Sequence, residues 1–198
     1  MKLIYHSATK KLNADKLYLE EGRNYYHRNG SVAMIYNILN PFIPSAWRYS
    51  DVIYCEPSWQ EGYKVFCDRA EYTYRKSDYI LYLKRIEELI DTLDKPAFII
   101  GGKHMLQHLN PYSMSPIRLL GSKAFLCVYK TKQHKKFDKN FDVISYLAER
   151  YNYVLDFCCG YGNTARIFKK AGKLFVCSDF NSKCVYYVAK TFLGIKDV

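Results

Sequence analysis

A chain of 198 residues, 49% of them hydrophobic, is long enough for one well-buried core and too short for two full domains, so a single domain over 1–198 is expected. Thirty Lys and Arg against nineteen Asp and Glu give a net charge of +11, which favours a polyanion such as nucleic acid through counterion release, although solubility or adhesion to anionic membranes is served by the same balance. The seven scattered cysteines form no CxxC pair and signal no zinc site; a start without signal-peptide character and the lack of a membrane-length apolar run predict reduced thiols in a cytoplasmic protein.

Residues 1–50 are the least readable part, an amino-terminal extension with aromatic and basic residues interleaved, as at Arg23, Tyr25, Tyr26, His27 and Arg28. Such interleaving suits base stacking, while most of the rings are expected to pack in the interior. An apolar segment over 32–39, ending before Pro41, predicts a helix. From residue 51 to 195 the pattern sharpens into a core. Val52, Ile53 and Tyr54 form a short strand stopped by Pro57. Residues 77–93 place Ile80, Leu83, Ile86, Ile90 and Leu93 on one helical face. A strand over 97–100 stops at Gly101, so strand, helix and strand follow as in a parallel unit.

Segments 117–120 and 124–129 flank Gly121 and Ser122 as a hairpin. A basic connector over 130–139 carries Lys130, Lys132, His134, Lys135 and Lys136 and should lie on the surface. A helix from Phe141, a strand over 153–157, a glycine turn over 158–162, a helix to residue 171, a strand over 174–178 and a helix over 182–193 complete an α/β domain with a mostly parallel sheet.

Two segments carry chemistry. In VLDFCCGYGNTARIF a strand ends at Asp156 and runs through Gly160 and Gly162 into a helix, and Asp179 ends the next strand, placed to accept from a ribose hydroxyl. Ala165 stands where a dinucleotide fingerprint wants a third glycine, which ranks a nicotinamide cofactor lower. In DVIYCEPSW a proline turn presents the Glu56 carboxylate and the flat ring of Trp59.

Together the two segments resemble the S-adenosylmethionine-dependent amino-methyltransferases of DNA adenine-N6 and cytosine-N4, and their RNA relatives. The family tetrapeptide, an Asp, Asn or Ser followed by two prolines and an aromatic, is similar to Glu56, Pro57, Ser58 and Trp59; its DPFCGSG loop is similar to Asp156 through Gly162. The tetrapeptide precedes the loop, as in the permuted, beta-type members. The resemblance implies a Rossmann-like class I methyltransferase fold. It also implies S-adenosylmethionine held by Asp156, Phe157, Cys158, Gly160, Gly162, Asn163, Asp179 and Phe180, with no metal.

In such an enzyme Glu56 and the Pro57 carbonyl would accept hydrogen bonds from an exocyclic amine while Trp59 stacks on a base taken out of its helix. Lys130, Lys132, Lys135 and Lys136 would meet nucleic acid, DNA ahead of RNA. No segment has the length of a target-recognition domain, so specificity is expected to be low or supplied by a partner protein, and a strand after the last helix is expected to be a stub. A non-catalytic nucleic-acid-binding subunit and a small-molecule or protein methyltransferase are the alternatives.

Overall fold

The computed structural model describes residues 24–59, 62–65, 75–119, 121–132 and 135–195. Eight strands form one sheet: β1 (Asn24–Tyr26), β2 (Val32–Ile35), β3 (Val52–Cys55), β4 (Ala97–Gly101), β5 (Ser113–Leu119), β6 (Ser122–Tyr129), β7 (Tyr153–Asp156) and β8 (Leu174–Asp179), in the spatial order β1-β2-β8-β7-β3-β4-β6-β5. The five strands from β2 to β4 in that order pair in parallel, while β1, β6 and β5 add antiparallel edges.

The central strands are buried on both faces, as a parallel sheet covered by helices requires. One face is covered by α1 (Lys76–Leu93) through Tyr79, Tyr82, Leu83, Ile86, Leu89, Ile90 and Leu93. The expected stripe is present, except that Ile80 is half-buried and two tyrosines pack beside it. The other face carries α2 (Asn140–Arg150), α3 (Asn163–Lys170) and α4 (Ser182–Val188), the last continued by a π-helical turn over Ala189–Leu193 and stopped at Gly194. Among the described residues no helix is long and apolar enough to cross a membrane.

The helix expected over 32–39 is not there: Val32–Ile35 is strand β2, paired with β8 from Val32 opposite Val176 to Ile35 opposite Asp179. A four-residue apolar run buried on both faces has no period to distinguish strand from helix, and the partner that decides it lies more than a hundred residues downstream. The flank of β8 is therefore filled from the amino-terminal part of the chain. Tyr25, a candidate for base stacking by its sequence context, is buried with its ring edge-on to Tyr186; Tyr26 beside it is exposed.

Strand order reverses between β7 and β3. The connection β7–α3–β8 winds to one side and β3–α1–β4 to the other, so their carboxyl ends diverge around a crevice. Open α/β sheets bind ligands at that place.

Candidate functional site

The crevice at the switch point is rimmed by the residues that follow β3, β7 and β8. Asp156 is the last residue of β7, and its buried carboxyl group accepts from Thr164 Oγ1 at 2.6 Å and from the Cys158 amide at 3.2 Å. Burial raises its carboxyl to about 8, against the opposing effect of those two hydrogen bonds, with Glu56 and Asp179 adding smaller upward contributions. Asp156 thus ties the loop to the first turn of α3. Thr164 had no local signature, since its partner is a strand residue on the far side of the turn.

The turn itself needs glycine for two different reasons. Gly162 has φ +75°, and a Cβ there would stand 2.7 Å from Val188 and 3.0 Å from Phe192, so its absence lets α4 and the π turn pack against the loop. Gly160 has φ +48°, and a Cβ there would meet nothing within 4 Å. The backbone at Gly160 faces open space and its amide donates to Asp179 Oδ2 at 2.9 Å. Asp179 also accepts from the Asn181 amide at 2.8 Å, and its carboxyl is raised by burial. Its backbone carbonyl receives the Tyr36 amide at 3.0 Å, which links the end of β2 to the same corner. Ser178, one residue earlier, is fully buried, and its Oγ has no hydrogen-bond partner among the described residues.

Across the crevice, Glu56 follows β3 and is half-buried. Its Oε1 accepts from the Tyr54 hydroxyl and from Asn140 Nδ2, the latter at 2.8 Å. Pro57 is buried, and Ser58 and Trp59 are half-buried. Trp59 accepts the Tyr63 amide at 2.7 Å on its carbonyl, and its indole lies 3.1 Å from the place a Cβ on Gly102 would occupy. Behind it Tyr63 stacks on Tyr82 with ring centres 5.0 Å apart, and the Tyr82 hydroxyl lies 3.3 Å from Cys158 Sγ. Phe157 is buried against Trp47, while Asn163, which opens α3, and Phe180, which follows β8, are half-buried.

The fold therefore gathers Glu56–Trp59, Asp156–Asn163 and Asp179–Phe180 at the carboxyl ends of neighbouring strands. The connector runs from the far end of the sheet back to Asn140 beside Glu56. Lys130 follows β6 at the opposite end of the sheet, 3.0 Å from Asp94 and 3.3 Å from Asp91, and these carboxylates raise its pKa. Lys132, Lys135 and Lys136 are exposed, and Lys135 reaches over the rings of Phe137 and Tyr146; His134 lies outside the described residues. Tyr54 could have been found from the sequence, two residues before Glu56 on a strand and so on the same face. Asn140, eighty-four residues away, could not.

The sequence matches no protein-family model and no curated protein. Among solved structures, the chain is similar to the crystal structure of M1.HpyAVI, with 12% identity, 74% of this chain and 89% of that chain covered, and a TM-score of 0.46. Its complex with S-adenosylmethionine aligns at 11% identity over the same shares with a TM-score of 0.48. TTHA0409 of Thermus thermophilus, described as a DNA modification methylase, aligns at 10% identity over 71% of this chain and 84% of its own, with a TM-score of 0.46.

Proposed function

We propose that the chain is an S-adenosylmethionine-dependent methyltransferase of permuted motif order that acts on an exocyclic amino group of adenine or cytosine in nucleic acid, DNA ahead of RNA. One observation carries this proposal: in a chain of net charge +11, the carboxylates of Glu56, after β3, and Asp179, at the end of β8, flank an open glycine turn at the switch point of the sheet. Two carboxylates at one crevice of a basic protein suit a ligand that is itself cationic and bears hydroxyls, as a sulfonium nucleoside does.

The donor set fits that group. Asp179 accepts from the backbone amides of Gly160, Asn181 and Phe180, and of the roughly four acceptor positions on a carboxylate one remains for a ribose hydroxyl. Gly160 leaves room for close approach of the ligand to the backbone. Asp156, spent on Thr164 and Cys158, shapes the loop from beneath. When bound, the cofactor supplies an activated methyl group. The chain's own task is to make a poor nucleophile better. An exocyclic amine delocalises its lone pair into the ring; hydrogen bonds from its N–H groups to the Glu56 carboxylate and the Pro57 carbonyl hold the nitrogen in a geometry that exposes that lone pair. Trp59, seated on Gly102, offers the stacking surface for the base.

Calorimetric titration with S-adenosylmethionine, on the chain and on Asp179→Ala, tests the cofactor half; saturable binding weakened at least about tenfold in the variant is expected. Transfer of labelled methyl to DNA and RNA oligonucleotides tests the rest, and Glu56→Ala should abolish it while leaving cofactor affinity in place. A folded chain that does not bind the cofactor would defeat the proposal and favour a non-catalytic nucleic-acid-binding role.

A further inference from the structure

Glu56 is held by two groups that the proposed chemistry does not itself use. Tyr54 and Asn140 are 1% and 5% exposed, and both donate to the same carboxylate oxygen, Oε1. A carboxylate oxygen accepts through two lone pairs, so Oε1 is filled and Oε2 is the oxygen left for another donor. The two donors come from different parts of the fold. Tyr54 lies on β3, rigidly within the sheet, and Asn140 is the first residue of α2, where the basic connector ends.

A glutamate side chain has one more rotatable bond than an aspartate, and an unanchored carboxylate spreads over several rotamers. Hydrogen bonds from a strand and from a helix start together remove that freedom. The start of α2 is fixed in turn, because the Arg118 amide of β5 donates to the Asp138 carbonyl at 2.9 Å just before it. Burying an asparagine amide and a tyrosine hydroxyl is costly unless each is satisfied, and here both are satisfied on one acceptor.

We infer that Tyr54 and Asn140 are positioning residues that lock the Glu56 carboxylate so that Oε2 alone is presented to the target amine. This inference rests on the methyltransferase proposal. The locked glutamate does the work for which the resembling family uses a shorter side chain, and the second acceptor for the amine remains the Pro57 carbonyl.

The test is steady-state methyl transfer by the full chain and by Tyr54→Phe, Asn140→Ala and Asn140→Asp, with cofactor affinity by calorimetry and melting temperature for each variant. Each substitution should lower kcat roughly ten- to hundredfold, the size of a lost hydrogen bond to a charged group. KM for the oligonucleotide and Kd for S-adenosylmethionine should stay within about twofold, since a positioning role acts through Glu56 alone. Asn140→Asp keeps the shape but sets a second carboxylate against Glu56, so it should cost kcat at least as much as Asn140→Ala. Unchanged kcat in Tyr54→Phe and Asn140→Ala overturns the inference. A fall in kcat matched by an equal loss of cofactor affinity or by a collapsed melting transition also overturns it, because the role is then structural. A wild-type chain that binds no cofactor and transfers no methyl defeats the methyltransferase proposal itself, and the inference with it.

Discussion

At Gly162 an added methyl group would stand 2.7 Å from Val188, whereas at Gly160 it would stand in open space. The two positions share a left-handed backbone and separate packing from ligand approach. Gly162→Ala should destabilise the fold by about 2–4 kcal/mol in urea denaturation, combining backbone strain with overpacking. Gly160→Ala carries the strain alone, about 1–2 kcal/mol, yet should weaken S-adenosylmethionine binding more than any stability change explains, because its methyl occupies the ligand's space. Equal losses of cofactor affinity in both variants, scaled to their stabilities, would remove Gly160 from the pocket.

Asp156 gives a pH signature of its own. Its folded-state pKa, raised by burial to about 8, lies above the ordinary unfolded value of about 3.9, so between those values the folded chain holds a proton that the unfolded chain has released. Its contribution to stability is therefore full below the unfolded pKa and lost as pH rises through the folded one. Asp156→Asn keeps a neutral side chain throughout, and its melting temperature should fall less than that of the wild type between about pH 5 and 8 in a calorimetric pH series. Parallel curves would mean that Asp156 is ionised in the folded state.

Among the elements, those with a long period or a bounded apolar run were legible from the residues: the α1 stripe, the β4 run stopped by glycine, the hairpin of β5 and β6, and the glycine turn between β7 and α3. What escaped was fixed by contacts far apart in the chain. The run VAMI belongs to β2 because Val176 to Asp179 lie alongside it, and Asn140 belongs to the site because Glu56 does. Neither fact has a local sequence signature. The strand assignment has a measurable consequence within the same run. Ile35, 1% exposed in β2, should cost about 2–4 kcal/mol when changed to Ala, whereas Leu39, 42% exposed and beyond the strand, should cost less than about 1 kcal/mol. On a buried helical face the two would be close to equivalent, four residues apart. Urea denaturation of Ile35→Ala and Leu39→Ala distinguishes the arrangements, and similar losses would count against β2.

For the whole molecule, the distribution of charge matters more than its sum. The α1 segment carries Asp78, Glu87, Glu88, Asp91 and Asp94 against Lys76, Lys84 and Arg85; Glu88 pairs with Arg85, and Asp91 and Asp94 pair with Lys130. From residue 163 to 195 six Lys and Arg face a single acidic residue, Asp179, which is turned into the loop. A polyanion approaching the crevice would therefore meet positive potential from the connector and from the α3–α4 side, and little from α1. Lys132, Lys135 and Lys136 are exposed, while Lys130 is already paired at the far end of the sheet. In fluorescence-anisotropy titrations of labelled DNA across a salt series, changing Lys132, Lys135 and Lys136 together to Ala should reduce the slope of log K against log salt by about two to three, one for each lost phosphate contact. Lys130→Ala should leave the slope nearly unchanged. A steep slope that survives the triple substitution would shift the contact surface to Lys169, Lys170, Lys183 and Lys190 on the α3–α4 side. A flat slope in the wild type would remove nucleic acid as the partner, and a cofactor-binding chain would then be a methyltransferase for a small molecule or a protein.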